Sequence, residues 1–172
     1  MKKFFLSLVI LSAAALSSFA QTTPDKGQFS IGVEAGLPLG DASDFFSFAI
    51  GGSLKYDHPV AENLFITGSA GYTKFMNKGE VKDAYEAAGI DAPKVGFIPL
   101  KVGAKYFFSP GFFGEAQLGA AIGVQDAEGT AFAYSPGVGY VFSQNFEAGV
   151  RYEAWSKDGT TSQLGLRVAY KF

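Results

Sequence analysis

The final segment, residues 164–172, constrains the fold more than any other stretch of this 172-residue chain. Its apolar side chains occupy alternate positions and end on an aromatic ring: Leu164, Leu166, Val168, Tyr170 and Phe172. The positions between them are small or cationic: Gly165, Arg167, Ala169 and Lys171. Because successive side chains of a strand point to opposite faces, the segment predicts a strand with one wholly apolar face. Such a strand suits either a half-buried sheet edge or a barrel wall between lipid and a polar lumen.

The first twenty residues have the pattern of a secretory signal peptide. Lys2 and Lys3 precede an apolar run over residues 4–16, and Ser18-Phe19-Ala20 supplies small residues for cleavage after Ala20. A membrane anchor is disfavoured, because the apolar run is short and no stop-transfer charges follow it. We therefore expect residues 1–20 to be removed on export and residues 21–172 to form one mature domain.

Composition excludes several functional classes. The chain has no cysteine, which excludes a disulfide framework, thiol chemistry and a lipidated cysteine after the signal. Removing Lys2 and Lys3 from 14 basic residues leaves 12 against 16 acidic residues. This mildly acidic balance without a basic cluster argues against nucleic acid as a partner. No apolar stretch after residue 20 is long enough for a membrane helix, so any membrane span must be made of strands.

Alternation of apolar and polar residues predicts eight strands in the mature chain. They cover residues 28–37, 46–56, 64–75, 96–108, 112–124, 130–142, 145–155 and 164–172. Strands of about ten residues match tilted membrane strands, whereas strands of soluble sheets average about five or six. Short turns alternate with longer polar connections, and an even strand number places both termini on one side, predicted to be periplasmic. The predicted fold class is an all-β, eight-stranded antiparallel up-and-down transmembrane β-barrel.

Aromatic residues gather at both predicted ends of the strands. The group at the predicted periplasmic rim is Phe29, Tyr56, Phe108, Phe112, Phe142, Phe146, Tyr170 and Phe172. The group towards the other end is Phe46, Phe48, Tyr72, Phe132, Tyr134, Tyr152 and Trp155. Aromatic girdles at both membrane interfaces are typical of transmembrane barrels.

The signal sequence, the strands, the girdles and the segment ending at Phe172 together make the chain resemble a known family. It is the small outer-membrane β-barrel family (OmpA/OmpX-like, the porin-like proteins frequent in Bacteroidota). The resemblance implies a monomer in the cell outer membrane, in contact with outer-membrane lipid and lipopolysaccharide. It also implies assembly by the secretion translocon, periplasmic chaperones and the barrel-assembly machinery. The residues that resemble a C-terminal insertion signal are Leu164, Leu166, Val168, Tyr170 and Phe172.

One group of charged residues shares the predicted inward face of the strands. Its members are Glu34, Lys55, Lys101, Lys105, Glu115, Glu147, Arg151, Glu153 and Arg167. An eight-stranded barrel is just wide enough for its own side chains to fill. One interpretation is therefore a salt-bridged plug, since unpaired charges in a confined interior are costly. The other is an ion path through the lumen.

The sequence predicts no catalytic, cofactor or metal site. The single histidine, His58, precedes Pro59 in a predicted turn, and the loop acids lack calcium-like or zinc-like spacing. The favoured function is a non-enzymatic structural, surface-interaction or porin-like role. Two alternatives stay open: a small ion-conducting channel, and a soluble periplasmic lipocalin-like barrel. The lipocalin-like barrel would place Leu164, Leu166 and Val168 around an internal apolar cavity.

Overall fold

The computed structural model describes residues 26–172, so the predicted signal peptide and its cleavage position Ala20 lie outside the described residues. In chain order the elements are β1 (Gln28–Leu39), α1 (Ala42–Phe45), β2 (Phe46–Ala61), β3 (Leu64–Asn77), α2 (Gly79–Ala87), β4 (Val95–Ser109), β5 (Phe112–Gln125), β6 (Thr130–Val141), β7 (Phe146–Ser156) and β8 (Thr160–Lys171). Each strand pairs antiparallel with the next, and β8 pairs with β1 to close the sheet. The predicted eight-stranded up-and-down barrel is confirmed.

The two ends of the barrel differ in their connections. At one end, which we call the turn end, two to four residues join β2 to β3, β4 to β5 and β6 to β7. At the other end, which we call the loop end, the connections cover residues 40–45, 78–94, 126–129 and 157–159. Within residues 26–172, neither helix is long and apolar enough to cross a membrane. The longest connection, residues 78–94, contains α2, none of whose residues is buried.

Alternate residues of each strand face opposite sides of the barrel wall. In β8, Leu166 is 47% exposed on the outer face, whereas Arg167 is 7% exposed in the lumen. Leu164 and Val168 lie on the outer face with Leu166, and Ala169 lies in the lumen with Arg167. The soluble lipocalin-like alternative requires the opposite arrangement, and the structure therefore contradicts it.

Two members of the predicted aromatic group towards the loop end face the lumen instead. A β-bulge between Phe46 and Phe48 shifts the register of β2, because a bulge sets two residues of one strand against one of its neighbour. Phe46 consequently turns inward and packs on Phe75, with ring centroids 5.1 Å apart. Trp155 follows the inward alternation of Glu153 and is buried. The prediction that Phe46 and Trp155 belong to the outer girdle was wrong.

Strand β2 is longer than the sequence predicted. We expected a turn over residues 57–63, because Asp, His and Pro in succession are typical of turns. Asp57 and His58 instead pair with Thr67 and Ile66 of β3, so the turn is shorter than expected. This pairing turns the Asp57 side chain into the lumen and leaves His58 exposed on the outer face.

Candidate functional site in the barrel lumen

Side chains fill the lumen in three layers. The turn-end aromatic layer consists of Phe65, Phe107 and Phe113. The central ion-pair network consists of Glu34, Lys55, Asp57, Lys101, Lys105, Glu115, Glu147, Arg151, Glu153 and Arg167. The loop-end aromatic layer consists of the rings of Phe46, Phe75, Phe97 and Trp155, which pack with the smaller side chains of Ala49, Val95, Ala121, Ala131 and Ala133. The structure thus brings all nine predicted lumen charges together and adds Asp57.

Glu147 on β7 is the centre of one half of the network. Its carboxylate lies 3.0 Å from Lys55 Nζ, 2.7 Å from Lys105 Nζ and 3.1 Å from Arg167 Nη1. Asp57 contacts two of the same cations, at 2.9 Å from Lys105 Nζ and 3.5 Å from Lys55 Nζ. Two carboxylates and three cations from four strands therefore meet in the half of the lumen nearer the turn end.

Arg151 on β7 links the carboxylates of the other half. Its Nη2 atom lies 2.6 Å from Glu34 Oε2 and 3.1 Å from Glu153 Oε2. Glu153 also forms an ion pair with Lys101 of β4. Arg167 Nε lies 3.6 Å from Glu34 Oε1, and this contact joins the two halves into one network.

The network has no net formal charge, because it contains five acidic and five basic residues. Polar neighbours add hydrogen bonds: Ser53 Oγ donates to Glu34 Oε1 at 2.5 Å, and Arg167 Nη2 donates to Ser30 Oγ at 3.1 Å. Buried charges are tolerated only when they are paired and hydrogen-bonded. A shift in strand register would separate these charged side chains from their partners. The network therefore favours the one register in which every charge is paired.

Aromatic rings cover the network at the turn end. The Phe107 ring lies 5.7 Å from that of Phe65 and 5.6 Å from that of Phe113. Lys105 Nζ lies 4.1 Å from the Phe113 ring centroid, within the range of a cation–π contact. The turn-end aromatic layer therefore both covers the ion-pair network and contacts one of its cations, Lys105.

A second aromatic layer covers the network at the loop end. Trp155 packs edge-on against Phe75, with ring centroids 5.4 Å apart, and its ring lies 4.7 Å from that of Phe97. The small residues Ala121 and Ala133 are fully buried beside them. Large rings from three strands therefore fit against small residues of two others.

The two aromatic layers shield the ion pairs from solvent. Lys105 and Glu147 are each 2% exposed and Glu153 is 1% exposed. A cavity of about 20 Å³ lies beside Glu147 and Arg167, and another of about 10 Å³ lies beside Glu34. The larger of the two has room for about one water molecule. The lumen is packed rather than open.

Asp57 is the network residue that the sequence analysis missed. The signal was present, because Asp57 continues the inward alternation of Ser53 and Lys55, but the turn-like sequence that follows outweighed it. Asp57 contributes a second carboxylate near Lys105. Among residues 26–172, no three His, Cys, Asp or Glu side chains are grouped so that they could hold a metal ion.

The residues of the predicted insertion signal lie on the outer face of β8 and just beyond it. Tyr170 packs edge-on against Phe146, with ring centroids 5.3 Å apart. The Phe172 ring stacks on Phe29 at 6.2 Å, and the Phe172 backbone N–H donates to the Phe29 carbonyl at 2.9 Å. The last residue is therefore held against β1 at the turn end.

Comparisons with known proteins agree with this architecture. The model of a family described as "Outer membrane protein beta-barrel domain" matches residues 5–172. Ail, the attachment invasion locus protein of Yersinia pestis, has a similar structure, with a TM-score of 0.60, 18% identity, and coverage of 85% of this chain and 97% of Ail. The N-terminal barrel of Pseudomonas aeruginosa OprF gives a TM-score of 0.53 at 19% identity, covering 86% of this chain and 100% of its own.

A de novo designed transmembrane β-barrel gives a TM-score of 0.55 at 16% identity, covering 87% of this chain and 98% of the design. At such low identities, these three structures show the fold alone. A comparison with curated proteins found no match.

Proposed function

The chain belongs to the outer membrane protein beta-barrel domain family and lies in the cell outer membrane. We propose that it is a closed, non-enzymatic barrel and that its loops bind partners at the cell surface. The observation that carries this proposal is the filled lumen. A neutral ion-pair network between two aromatic layers supports a rigid scaffold more than a conduit. The packed lumen therefore leaves the loops as the part that carries the activity.

The proposed orientation puts the loop end at the cell exterior, because short periplasmic turns and longer extracellular loops are typical of outer-membrane barrels. The connection over residues 78–94 carries α2, none of whose residues is buried. Asn77 Nδ2 of β3 donates to the Pro93 carbonyl at 2.8 Å, which ties this connection to the barrel, and Lys94 N–H donates to Asp126 Oδ2 of the neighbouring connection at 2.7 Å. Exposed loops on rigid scaffolds often carry binding.

A protein of similar fold has been solved with a bound sugar analogue. The crystal structure of Ail from Yersinia pestis in complex with the heparin analogue sucrose octasulfate gives a TM-score of 0.57 to this chain. That complex supports a surface-binding role for barrels of this shape. We do not extend that ligand to this chain. Its loop-end connections are rich in acidic residues such as Glu80, Asp83 and Glu86, which would repel a sulfated ligand.

The closed barrel is tested by electrical recording. The purified protein, reconstituted in planar bilayers, is expected to show no discrete conductance steps, whereas a large porin measured in parallel shows them. Discrete steps from the wild-type barrel would overturn the closed-barrel proposal in favour of the ion-conducting channel.

The surface role is tested by replacing residues 79–91 with a short Gly-Ser linker. The variant is expected to keep its heat-modifiable mobility on gels, because α2 contributes no buried residue. Cells that display it are expected to lose binding to immobilised glycans and matrix proteins relative to cells that display the wild type. Undiminished binding would contradict a role for this loop.

We propose further that the outward residues of β8 act as the C-terminal insertion signal, read by the barrel-assembly machinery after export by the translocon and periplasmic chaperones. Deleting Phe172 removes a ring and a backbone hydrogen bond to Phe29 at the seam that closes the barrel. Unpaired backbone groups in hydrocarbon cost several kcal/mol each. The deletion is expected to slow assembly and increase protease sensitivity, while export proceeds normally. An unchanged folding rate and yield would contradict the proposal that this segment is the insertion signal.

A further inference from the structure

Helix α2 presents an apolar stripe that no part of the described chain buries. Four apolar residues follow the spacing i, i+3, i+4 and i+7, which places them on one side of the helix and of the turn that ends it: Val81, Ala84, Tyr85 and Ala88. The charged residues of the same segment occupy the other side: Glu80, Lys82, Asp83 and Glu86. Within residues 26–172, no residue of α2 is buried. This amphipathic helix therefore lacks a surface on which its apolar side would pack.

The length of α2 makes a covering partner more important. Helices shorter than about 12–15 residues are marginal in water by themselves, and most helices gain their stability by packing an apolar side. α2 has nine residues, and no side chain of the described segment caps its N-terminal end. Its C-terminal end is well defined: Gly89 has a φ of 73°, and its N–H donates to the Glu86 carbonyl at 2.9 Å. The Ile90 N–H donates to the Tyr85 carbonyl at 3.1 Å, which completes a Schellman motif.

Two large apolar side chains are exposed at the two ends of this helix. Ile90, just beyond the C-terminal end, is 58% exposed. Phe45 of α1 is 56% exposed, and its carbonyl accepts the Lys78 N–H at 2.9 Å, next to the first residue of α2. Exposed apolar groups that are rimmed by polar residues are typical of interaction sites. We call the stripe, together with Phe45 and Ile90, the α2 surface.

The loop end carries the excess negative charge of the barrel. Its connections over residues 40–45, 78–94, 126–129 and 157–159 contain nine acidic and four basic residues, which leaves five negative charges. The ion-pair network in the lumen adds none, because its charges balance. Complementary charges steer partners together, whereas like charges suppress wrong partners. A partner for the α2 surface is therefore expected to be cationic.

We propose that the α2 surface docks an amphipathic, cationic helix of a partner protein or peptide. The apolar side of that helix packs on the stripe, and its basic side chains lie near the loop-end carboxylates. Anchors spaced i, i+3, i+4 and i+7 are a common mode of helix recognition. A second copy of this chain, or a surface bearing phosphate or sulfate groups, has the same sign of charge as the loop end and is repelled. This partner class makes the proposed surface role, on which it rests, more specific.

The probe is a synthetic peptide of leucine and lysine, ordered so that its leucines share one side of a helix. Its binding to the folded barrel in phosphatidylcholine nanodiscs is measured by fluorescence anisotropy, and empty nanodiscs are measured in parallel to subtract binding to lipid. The barrel is expected to bind this peptide about tenfold more tightly than a peptide of the same composition in scrambled order. A similar preference is expected over a leucine–glutamate peptide of the same pattern.

Variants of α2 separate the apolar and the charged contributions. Val81→Gln combined with Tyr85→Gln removes the stripe, and Gln has a higher helix propensity than Val or Tyr, so a loss of binding does not come from melting of the helix. This double variant is expected to weaken binding about tenfold. Asp83→Asn combined with Glu86→Gln is expected to weaken binding at low salt and to make it less sensitive to added salt. Heat-modifiable mobility verifies that each variant is folded.

Matched substitutions at the turn end serve as controls. Val60→Gln removes an apolar side chain that is 50% exposed, and Glu62→Gln removes an exposed acidic one. Both variants are expected to bind the peptide as the wild type does, since nanodiscs leave both ends of the barrel accessible. Equal losses in these controls and in the α2 variants would overturn the assignment to the α2 surface, and so would equal affinity for the ordered and scrambled peptides. Equal affinity for the glutamate peptide would overturn the cationic partner.

Failure of this partner is distinguishable from failure of the proposed surface role. The replacement of residues 79–91 is scored on glycans and matrix proteins, whereas the peptide assay reports on the α2 surface alone. A replacement that abolishes cell-surface binding, beside a wild type that does not bind the peptide, would overturn the cationic partner and leave the surface role standing. Peptide binding that is lost in the α2 double variant but kept in the turn-end controls would support the docking whatever the glycan result.

Discussion

The outer face and the lumen of the barrel are built from the same eight strands but depend on different interactions. On the outer face, Leu166 and Val168 are exposed to lipid. A different apolar side chain at either position would contact the same lipid environment. In the lumen, Glu147 has three cationic partners at defined distances. The stability of the outer face therefore requires only that its side chains be apolar, whereas the stability of the lumen requires particular ion pairs. Single substitutions separate these two kinds of dependence.

Glu147→Gln is expected to have the largest effect. It leaves Lys55, Lys105 and Arg167 without their shared carboxylate in a solvent-shielded layer, and removing one partner of a buried ion pair costs about 3–5 kcal/mol. The free energy of unfolding in urea, measured in lipid vesicles, checks the value. Glu115→Gln is the matched control, because Glu115 has one cationic partner, Lys55 at 3.3 Å, and a 17% exposed side chain. Equal losses in the two variants would contradict the network's dependence on Glu147.

Leu118→Arg tests the outer face and is expected to rank second. The side chain is 55% exposed on β5, and an arginine on the lipid face near the midplane costs about 2–4 kcal/mol. The yield of folded barrel inserted into vesicles measures the loss. Thr130→Arg, at the first position of β6 on the loop-end rim, is expected to cost only about 0–1 kcal/mol. Normal insertion of Leu118→Arg would show that the face is assigned wrongly.

Two glycine-to-alanine changes are expected to have opposite signs on the two faces. A Cβ at Gly103, in the lumen, would lie 2.0 Å from the Ala116 carbonyl oxygen and 2.7 Å from Gln117 Cα. Relieving this overlap is expected to cost about 1–3 kcal/mol. A Cβ at Gly68, on the outer face, meets no protein atom within 4 Å, so Gly68→Ala is expected to stabilise the strand by about 0.5–1 kcal/mol. Equal unfolding free energies for Gly103→Ala and the wild type would show that the backbone around Gly103 shifts without cost.

Added salt is expected to have the smallest effect. Exposed ion pairs are screened by salt, whereas pairs shielded from solvent are screened much less. Since Lys105 and Glu153 are almost fully buried, the unfolding free energy is expected to stay nearly constant as the salt concentration rises. A steady loss of stability with salt would indicate that ions enter the lumen.

The faces of the strands were predictable from the sequence, whereas the pairing of the lumen charges was not. Leu166 and Arg167 could be assigned to opposite faces because strand alternation is a local property. The meeting of Arg167 with Glu147 and Glu34 depends on the stagger between strands that are distant in sequence. The pattern could place these residues in one lumen but could not assign partners within it.

The errors at Phe46, Asp57 and Trp155 have separate physical causes. Phe46 was misplaced because a β-bulge reverses the alternation at one residue, and the sequence before it carries no marker of the bulge. Asp57 was assigned to a turn because the tendency of Asp and Pro to form turns was given more weight than strand pairing. Trp155 was assigned to a girdle by its residue type, although its alternation with Glu153 already indicated the lumen.

The ion-pair network also has a consequence for the order of folding. Arg151 and Glu34 are 117 residues apart in sequence, and Lys101 and Glu153 are 52 apart, so the pairs form only when distant parts of the chain have met. A strand that entered lipid alone would carry unpaired charges into hydrocarbon. The sheet must therefore curl and bring these groups together before or while it enters the bilayer, and the transition state for insertion is expected to be a nearly complete cylinder.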